Sequence, residues 1–322
     1  MRLRFLCSVL TITFACTHDV ADACHPKSPM AEQAATTPAD AANTTTDVSL
    51  TVPQAVVLGL VEGATEFLPV SSTGHLVIVQ DVMGLRGDAE REKAADSLTI
   101  CIQGGAILAI LLLYWNRIVQ IVNGVSGRDR NGLRLLLNLI LAFLPAAILG
   151  LLAGDEIKER LYDIRVIAAA LLTGGILILI ESMRSTPAEA NAGVEMNDMT
   201  ARQAVFVGLM QCIAFWPGFS RSYATILGCR VIRMKMSAAV EFSFLLGLAT
   251  LTAATGYEGL KHGREMLNLY GVLTPSIALT VAFFAAAMSV RFMVASLTRY
   301  GLAPFGYYRI LLAVVCLWWM NR

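Results

Sequence analysis

After residue 50 the chain alternates long apolar stretches with short polar turns. The windows 97–115, 133–153, 164–180, 239–255, 270–294 and 305–320 are each about long enough to cross a hydrocarbon layer of ~30 Å as a helix. They predict six spanning helices. Two further apolar segments, starting at Thr51 and Thr200, are cut by Pro69 and Pro217 and carry charged or hydroxyl side chains. Each predicts a broken, re-entrant helical hairpin, because proline ends a helix and the freed backbone must line a polar cavity. The fold class that follows is all-α, a polytopic integral membrane protein.

The two broken segments are near-copies. Thr51, Gln54, Ala55, Val56 and Gly59 recur as Thr200, Gln203, Ala204, Val205 and Gly208, and each copy then reaches its proline and a pair of serines. Such a repeat divides a membrane domain over 49–322 into halves of about 49–195 and 196–322, an inverted repeat whose substrate site lies at the repeat interface. Arg117, Arg128, Arg130 and Arg134 against a single Asp129 place the 116–134 loop in the cytoplasm. The 161–165 turn then faces outward. The segment 182–202, with Pro187, Glu189, Glu195 and Asp198, returns to the cytoplasmic side as a flexible link between halves.

Composition narrows the class further. A chain that is 56% hydrophobic and 15% charged is not an ordinary soluble domain, and a net charge of +1 without a basic stripe excludes nucleic acid as a partner. Cys101, Cys212, Cys229 and Cys316 lack ligand spacing and read as small apolar fillers. Residues 1–48 differ from the rest. Arg2 and Arg4 precede an apolar run over 5–15, followed by an Ala-, Thr- and Asp-rich stretch: a signal-like leader and a disordered tether. A lipidated Cys16 and a misassigned start are the competing readings.

The chemistry lies in the broken segments. Glu62 and Glu66 stand four apart, so both carboxylates share one helical face. Their repulsion in a low-dielectric setting calls for a shared proton or a bound divalent metal. After Pro69, the run Ser71, Ser72, Thr73, Gly74 supplies cap hydroxyls and free N–H groups to a second helical segment, and His75 lies within its first turn as a proton carrier. In the second copy Gln211 replaces Glu62 and Phe215 replaces Glu66, while Gly218, Ser220, Arg221, Ser222 and Thr225 form an anion cradle. A metal-bridged pyrophosphate fits between carboxylate pair and guanidinium, held by Mg²⁺ or Ca²⁺. Glu241 reads equally as a third polar group of the cavity or as half of an ion pair, and Gln103 beside two glycines as a close helix contact.

The run from Glu62 through Thr65, Glu66, Phe67, Pro69, Ser71, Ser72 and Gly74 to His75, together with Pro217, Gly218, Ser220, Arg221, Ser222 and Thr225, resembles the two signatures of the bacterial undecaprenyl-diphosphate phosphatases, also called bacitracin-resistance proteins. The resemblance extends through Glu241 to Leu246 and covers nearly everything after residue 50. It implies an enzyme of the bacterial cytoplasmic membrane that hydrolyses undecaprenyl diphosphate on the outer side, recycling the lipid carrier of cell-wall polymers. It implies a catalytic set of Glu62, Glu66, Ser72, His75 and Arg221, with Glu62 and Glu66 on the divalent cation, and substrate contacts from Ser71, Thr73, Gly74, Gln211, Gly218, Ser220, Ser222 and Thr225. Bacitracin then competes for the same lipid. The residues leave the oligomeric state open, a homo-oligomer included.

The chain departs from the pattern in three places. Tyr223 stands where a small glycine is usual, the 247–250 stretch lacks a frequent proline, and the leader has no counterpart. The attacking group is either Ser72 Oγ or a water, with His75 moving the proton. A transporter or flippase of a prenyl-phosphate or other anionic substrate is the alternative, since inverted repeats and broken helices serve transport as well.

Overall fold

Beyond residue 50, each stretch that is apolar in sequence is helical in three dimensions, and the two hairpin breaks fall at Pro69 and Pro217. A computed structural model describes residues 50–86, 89–184 and 192–320. The expected leader over 1–48 lies outside the described residues, as do Pro187 and Glu189 of the link.

Eleven α-helices follow one another among the described residues: α1 (Val52–Thr65), α2 (Ser72–Val82), α3 (Ala89–Leu113), α4 (Trp115–Val125), α5 (Arg130–Leu161), α6 (Ile164–Arg184), α7 (Ala201–Gln211), α8 (Arg221–Val231), α9 (Met236–Tyr270), α10 (Leu273–Tyr300) and α11 (Ala303–Met320). Six of them, α3, α5, α6, α9, α10 and α11, are long and apolar enough to cross a membrane, and each matches one predicted window, although the windows 97–115 and 270–294 overrun their helices at one end. The chain is therefore a polytopic all-α protein of the multi-pass membrane class. The short apolar helices α1 and α7 are the first arms of the two broken hairpins, with α2 and α8 returning.

The repeat is visible in its hydrogen bonds. Thr51 caps α1 through a reciprocal box, its hydroxyl accepting Gln54 N at 3.4 Å while Gln54 Oε1 accepts Thr51 N at 2.9 Å. Thr200 and Gln203 form the same box on α7 at 3.4 Å and 2.9 Å. Gly59 of α1 lies against the Ala278 carbonyl of α10, and its counterpart Gly208 of α7 lies against the Ala142 carbonyl of α5. A Cβ at either glycine would collide with that carbonyl, so the small residue sets how closely each hairpin docks. The hairpins are thus crossed: the first half's α1 packs on α10 of the second half, and the second half's α7 packs on α5 of the first.

Two segments differ from the sequence expectation. The 116–134 stretch, read as a loop, contains the helix α4. It is too short to span, and Asn116, Arg117, Gln120 and Asn123 alternate with Ile118, Ile121 and Val122 at helical spacing, which suits a helix lying along the membrane surface. The link between halves, expected to be flexible, is fixed where it is described. Val194 N donates to the Arg233 carbonyl at 2.9 Å and Lys235 N to the Val194 carbonyl at 3.1 Å, and Met196–Asp198 forms a 3-10 turn. Glu241 is settled as an ion-pair partner, its Oε1 2.7 Å from Arg117 Nε, which ties α9 to α4.

Candidate active site

Both hairpin breaks turn on a serine in a left-handed backbone conformation. Ser71 has φ 71° and Ser220 has φ 77°, and each caps the returning helix, accepting Gly74 N at 3.4 Å and Tyr223 N at 3.3 Å respectively. A non-glycine residue held there costs on the order of 1–3 kcal/mol. The same strain at the same place in both copies aims the next residues, Ser72 and Arg221, at one point.

At that point the two halves meet. Glu66 uses both carboxylate oxygens: Oε1 accepts from Arg221 Nη2 at 2.8 Å, and Oε2 accepts from the Ser72 hydroxyl. Arg221 also donates from Nη1 to the Ser243 carbonyl at 3.5 Å and lies over the Phe67 ring, 5.8 Å from its centroid. Its Nε is buried with no hydrogen-bond partner. Gly247 of α9 faces the guanidinium so closely that a Cβ there would overlap it. One turn before Glu66, Glu62 is fully buried and neither of its oxygens has a hydrogen-bond partner. An ionisable group placed so is a functional signal inside a membrane, because no hydrogen bond offsets its desolvation.

Glu62, Glu66, Ser72 and Arg221 are therefore brought together. His75 sits one turn further along α2, with Nδ1 2.7 Å from the Ser71 carbonyl and Nε2 2.7 Å from the Tyr308 hydroxyl. The predicted cradle residues take varied places. Ser222 donates to the Leu68 carbonyl at 2.9 Å and shares a 3.0 Å bond with Ser220, so it joins the two breaks. Thr225 is fully buried and bonded to the Arg221 and Ser222 carbonyls and, at 2.5 Å, to the Ser243 hydroxyl. Both brace α8. Gly218 has φ +94° and leaves no room for a side chain beside the Ile167 carbonyl, while Thr73 and Gly74 lie in the first turn of α2. Gln211, the counterpart of Glu62, is likewise buried with both polar side-chain atoms unpartnered.

Arg309 was not legible in the sequence. It is fully buried in α11, and its guanidinium donates to five carbonyls: Leu171 (3.3 Å), Pro69 (3.2 Å), Phe219 (2.8 Å), Ala170 (3.1 Å) and Gly218 (2.9 Å). The rings of Phe219 and Tyr223 lie 5.8 Å and 5.6 Å from it. One cation thus holds the turn after Glu66, the turn before Arg221 and the middle of α6. Tyr223, which stands where a small glycine is usual, is fully buried beside it, its hydroxyl without a hydrogen-bond partner.

The donor set suits a hard cation brought in with a substrate. Among the described residues no three His, Cys, Asp or Glu gather as a metal cage. Mg²⁺ in particular binds through one or two carboxylates and completes its shell with phosphate oxygens and water. The unpartnered Glu62 carboxylate beside Glu66 has that character.

A family model described as bacitracin resistance protein BacA matches residues 55–315, which include every site residue named above. The chain belongs to the BacA family. It is 43% identical over 266 residues to an undecaprenyl-diphosphatase of Sorangium cellulosum, covering 82% of this chain and 85% of that protein. It is 41% identical over 268 residues to an undecaprenyl-diphosphatase of Maridesulfovibrio salexigens, covering 83% of this chain and 98% of the relative. An undecaprenyl-diphosphatase of Clostridium tetani shares 35% identity over 268 residues, with 83% and 96% covered. The BacA-family match leaves the first 54 residues outside and spans both hairpin breaks.

Proposed function

We propose that this BacA-family chain is an undecaprenyl-diphosphate phosphatase of the bacterial inner membrane, releasing orthophosphate and regenerating undecaprenyl phosphate for peptidoglycan and other cell-wall polymers. The carrying observation is the convergence of Glu66, Ser72 and Arg221 across the repeat. The names of its relatives support the substrate, and a chain with six apolar spanning helices suits a prenyl tail delivered from the lipid.

In this reading Arg221 binds the terminal phosphate, exchanging its bond to Glu66 for phosphate oxygens, which its fork matches. The Ser72 hydroxyl attacks the terminal phosphorus in line. Its proton passes to Glu66 Oε2, its present hydrogen-bond acceptor; the Oγ–P bond forms as the bond to the prenyl-phosphate oxygen breaks. Water then attacks the phosphoserine, His75 takes its proton, and the Oγ–P bond breaks as the proton on Glu66 returns to Ser72 Oγ. Glu62 and Glu66 would hold Mg²⁺ or Ca²⁺, which supplies charge neutralisation for the diphosphate. The N–H groups opening α2 and α8 add partial positive charge where negative charge builds.

Arg117, Arg128, Arg130 and Arg134 favour the cytoplasmic side for the 116–134 segment, and by parity the first hairpin opens outward. In this reading the site works on the outer leaflet, and bacitracin competes for the same lipid. Purified protein given a prenyl diphosphate and Mg²⁺ should release orthophosphate, and rapid quenching should trap phosphate on Ser72. A chain that moves the lipid across a bilayer without releasing phosphate would be a flippase instead, and a Ser72→Ala protein of full activity would remove Ser72 as the nucleophile.

A further inference from the structure

Both ring nitrogens of His75 are engaged, and the partners fix which one carries hydrogen. Nδ1 lies 2.7 Å from the Ser71 carbonyl oxygen, which can only accept, so Nδ1 is the N–H. In the neutral ring Nε2 then holds the lone pair. The atom 2.7 Å from it is the Tyr308 hydroxyl oxygen, so Tyr308 donates to His75. The two ring planes are parallel, with centroids 5.6 Å apart, and Arg309 of α11 adds its charge nearby. No lone pair of His75 is left to face an attacking water directly.

Tyr308 itself is open. It is 44% exposed, while its chain neighbour Arg309 is fully buried and locks α11 in place. A phenol oxygen that donates its proton to Nε2 keeps lone pairs that can accept, so it can take a proton as it gives one.

We propose that Tyr308 is the proton relay between the attacking water and His75. The water O–H bond breaks as its oxygen bonds to phosphorus and the Ser72 Oγ–P bond breaks, Oγ taking back the proton held on Glu66; the water's proton goes to Tyr308 Oη, and the proton that Oη held passes to His75 Nε2. Tyr308 ends protonated and accepts from the new Nε2–H, so the ring stays oriented in both protonation states. The Nδ1–H bond to Ser71 persists throughout, which links the relay to the strained turn that aims Ser72. This inference rests on the reading of His75 as the group that takes the water's proton.

The test is a double-mutant cycle on the full chain in detergent, with orthophosphate release from a prenyl diphosphate as the assay and thermal unfolding as the control for folding. Tyr308→Phe keeps the ring and removes only the hydroxyl. It should lower kcat by roughly 10²-fold, as loss of a proton-transfer group does, with KM changed by less than about twofold. His75→Ala should lose a similar factor, and the double variant should be no slower than either single. A folded Tyr308→Phe protein with undiminished kcat, or losses that multiply in the double variant, would overturn the relay while leaving the His75 reading in place. Full activity in His75→Ala would overturn that reading and the relay with it.

Discussion

Glu66 Oε1 and Arg221 Nη2 lie 2.8 Å apart although 155 residues separate them in the chain. Each comes from a different copy of the repeat, and each is held by a break in its own hairpin. The bond is therefore a direct report on whether the two copies are in register.

Removing either partner should stop phosphate release without unfolding the chain at once. Arg221→Ala is expected to cost about 10²–10³-fold in kcat, the scale for losing one preorganised donor to a transition-state oxygen. Arg221→Lys should recover little of it, because an ammonium lacks the planar fork. Initial rates at saturating prenyl diphosphate measure both.

Metal dependence should centre on Glu62. Chelation is expected to abolish activity and added Mg²⁺ or Ca²⁺ to restore it. Glu62→Gln removes the charge but not the shape of a buried, unpartnered carboxylate, so the divalent concentration for half-maximal rate should rise by about tenfold or more. An unchanged metal titration in that variant would show that Glu62 holds no cation.

The guanidinium of Arg221 has a matching hollow at Gly247, and filling it should displace the arginine. Gly247→Ala keeps helix propensity favourable, so α9 should persist. The expected loss in kcat is on the order of 10²-fold, the scale of a misplacement of about 1 Å at a reacting centre. Comparing kcat with the unfolding midpoint separates misplacement from misfolding.

Arg309 should behave as a stability residue. Arg309→Met would strand the buried carbonyls of Pro69, Gly218 and Phe219 at about 1–3 kcal/mol each, while those of Ala170 and Leu171, inside α6, keep their intrahelical partners. Against a usual total of about 5–15 kcal/mol, a sharp drop in the thermal unfolding midpoint is expected. Arg309→Lys keeps the charge and fewer bonds, and should fall between.

Much of this site could be read before any coordinates. Glu62 and Glu66 are legible because their spacing is local and helical, and Arg221 because its serine neighbours repeat those of the first hairpin. Arg309 was hidden for a physical reason: its partners are backbone carbonyls, which carry no residue identity, so no spacing or pairing rule points to it. Tyr308 was hidden because it reaches 233 positions back to His75 from an otherwise ordinary apolar helix. The α4 helix was read as loop because arginines dominate its flanks, although its apolar residues keep a helical period. Glu241 needed that helix in place before its partner Arg117 could be named.

The crossed docking of the hairpins makes the two copies mutually dependent. Since α1 is seated on a helix from the second half and α7 on one from the first, neither half seats its own hairpin alone. A polypeptide cut between the copies would have to reassemble in the bilayer before it could turn over substrate. Chimeras between relatives should likewise succeed only when a hairpin and its opposite-half cradle are exchanged together.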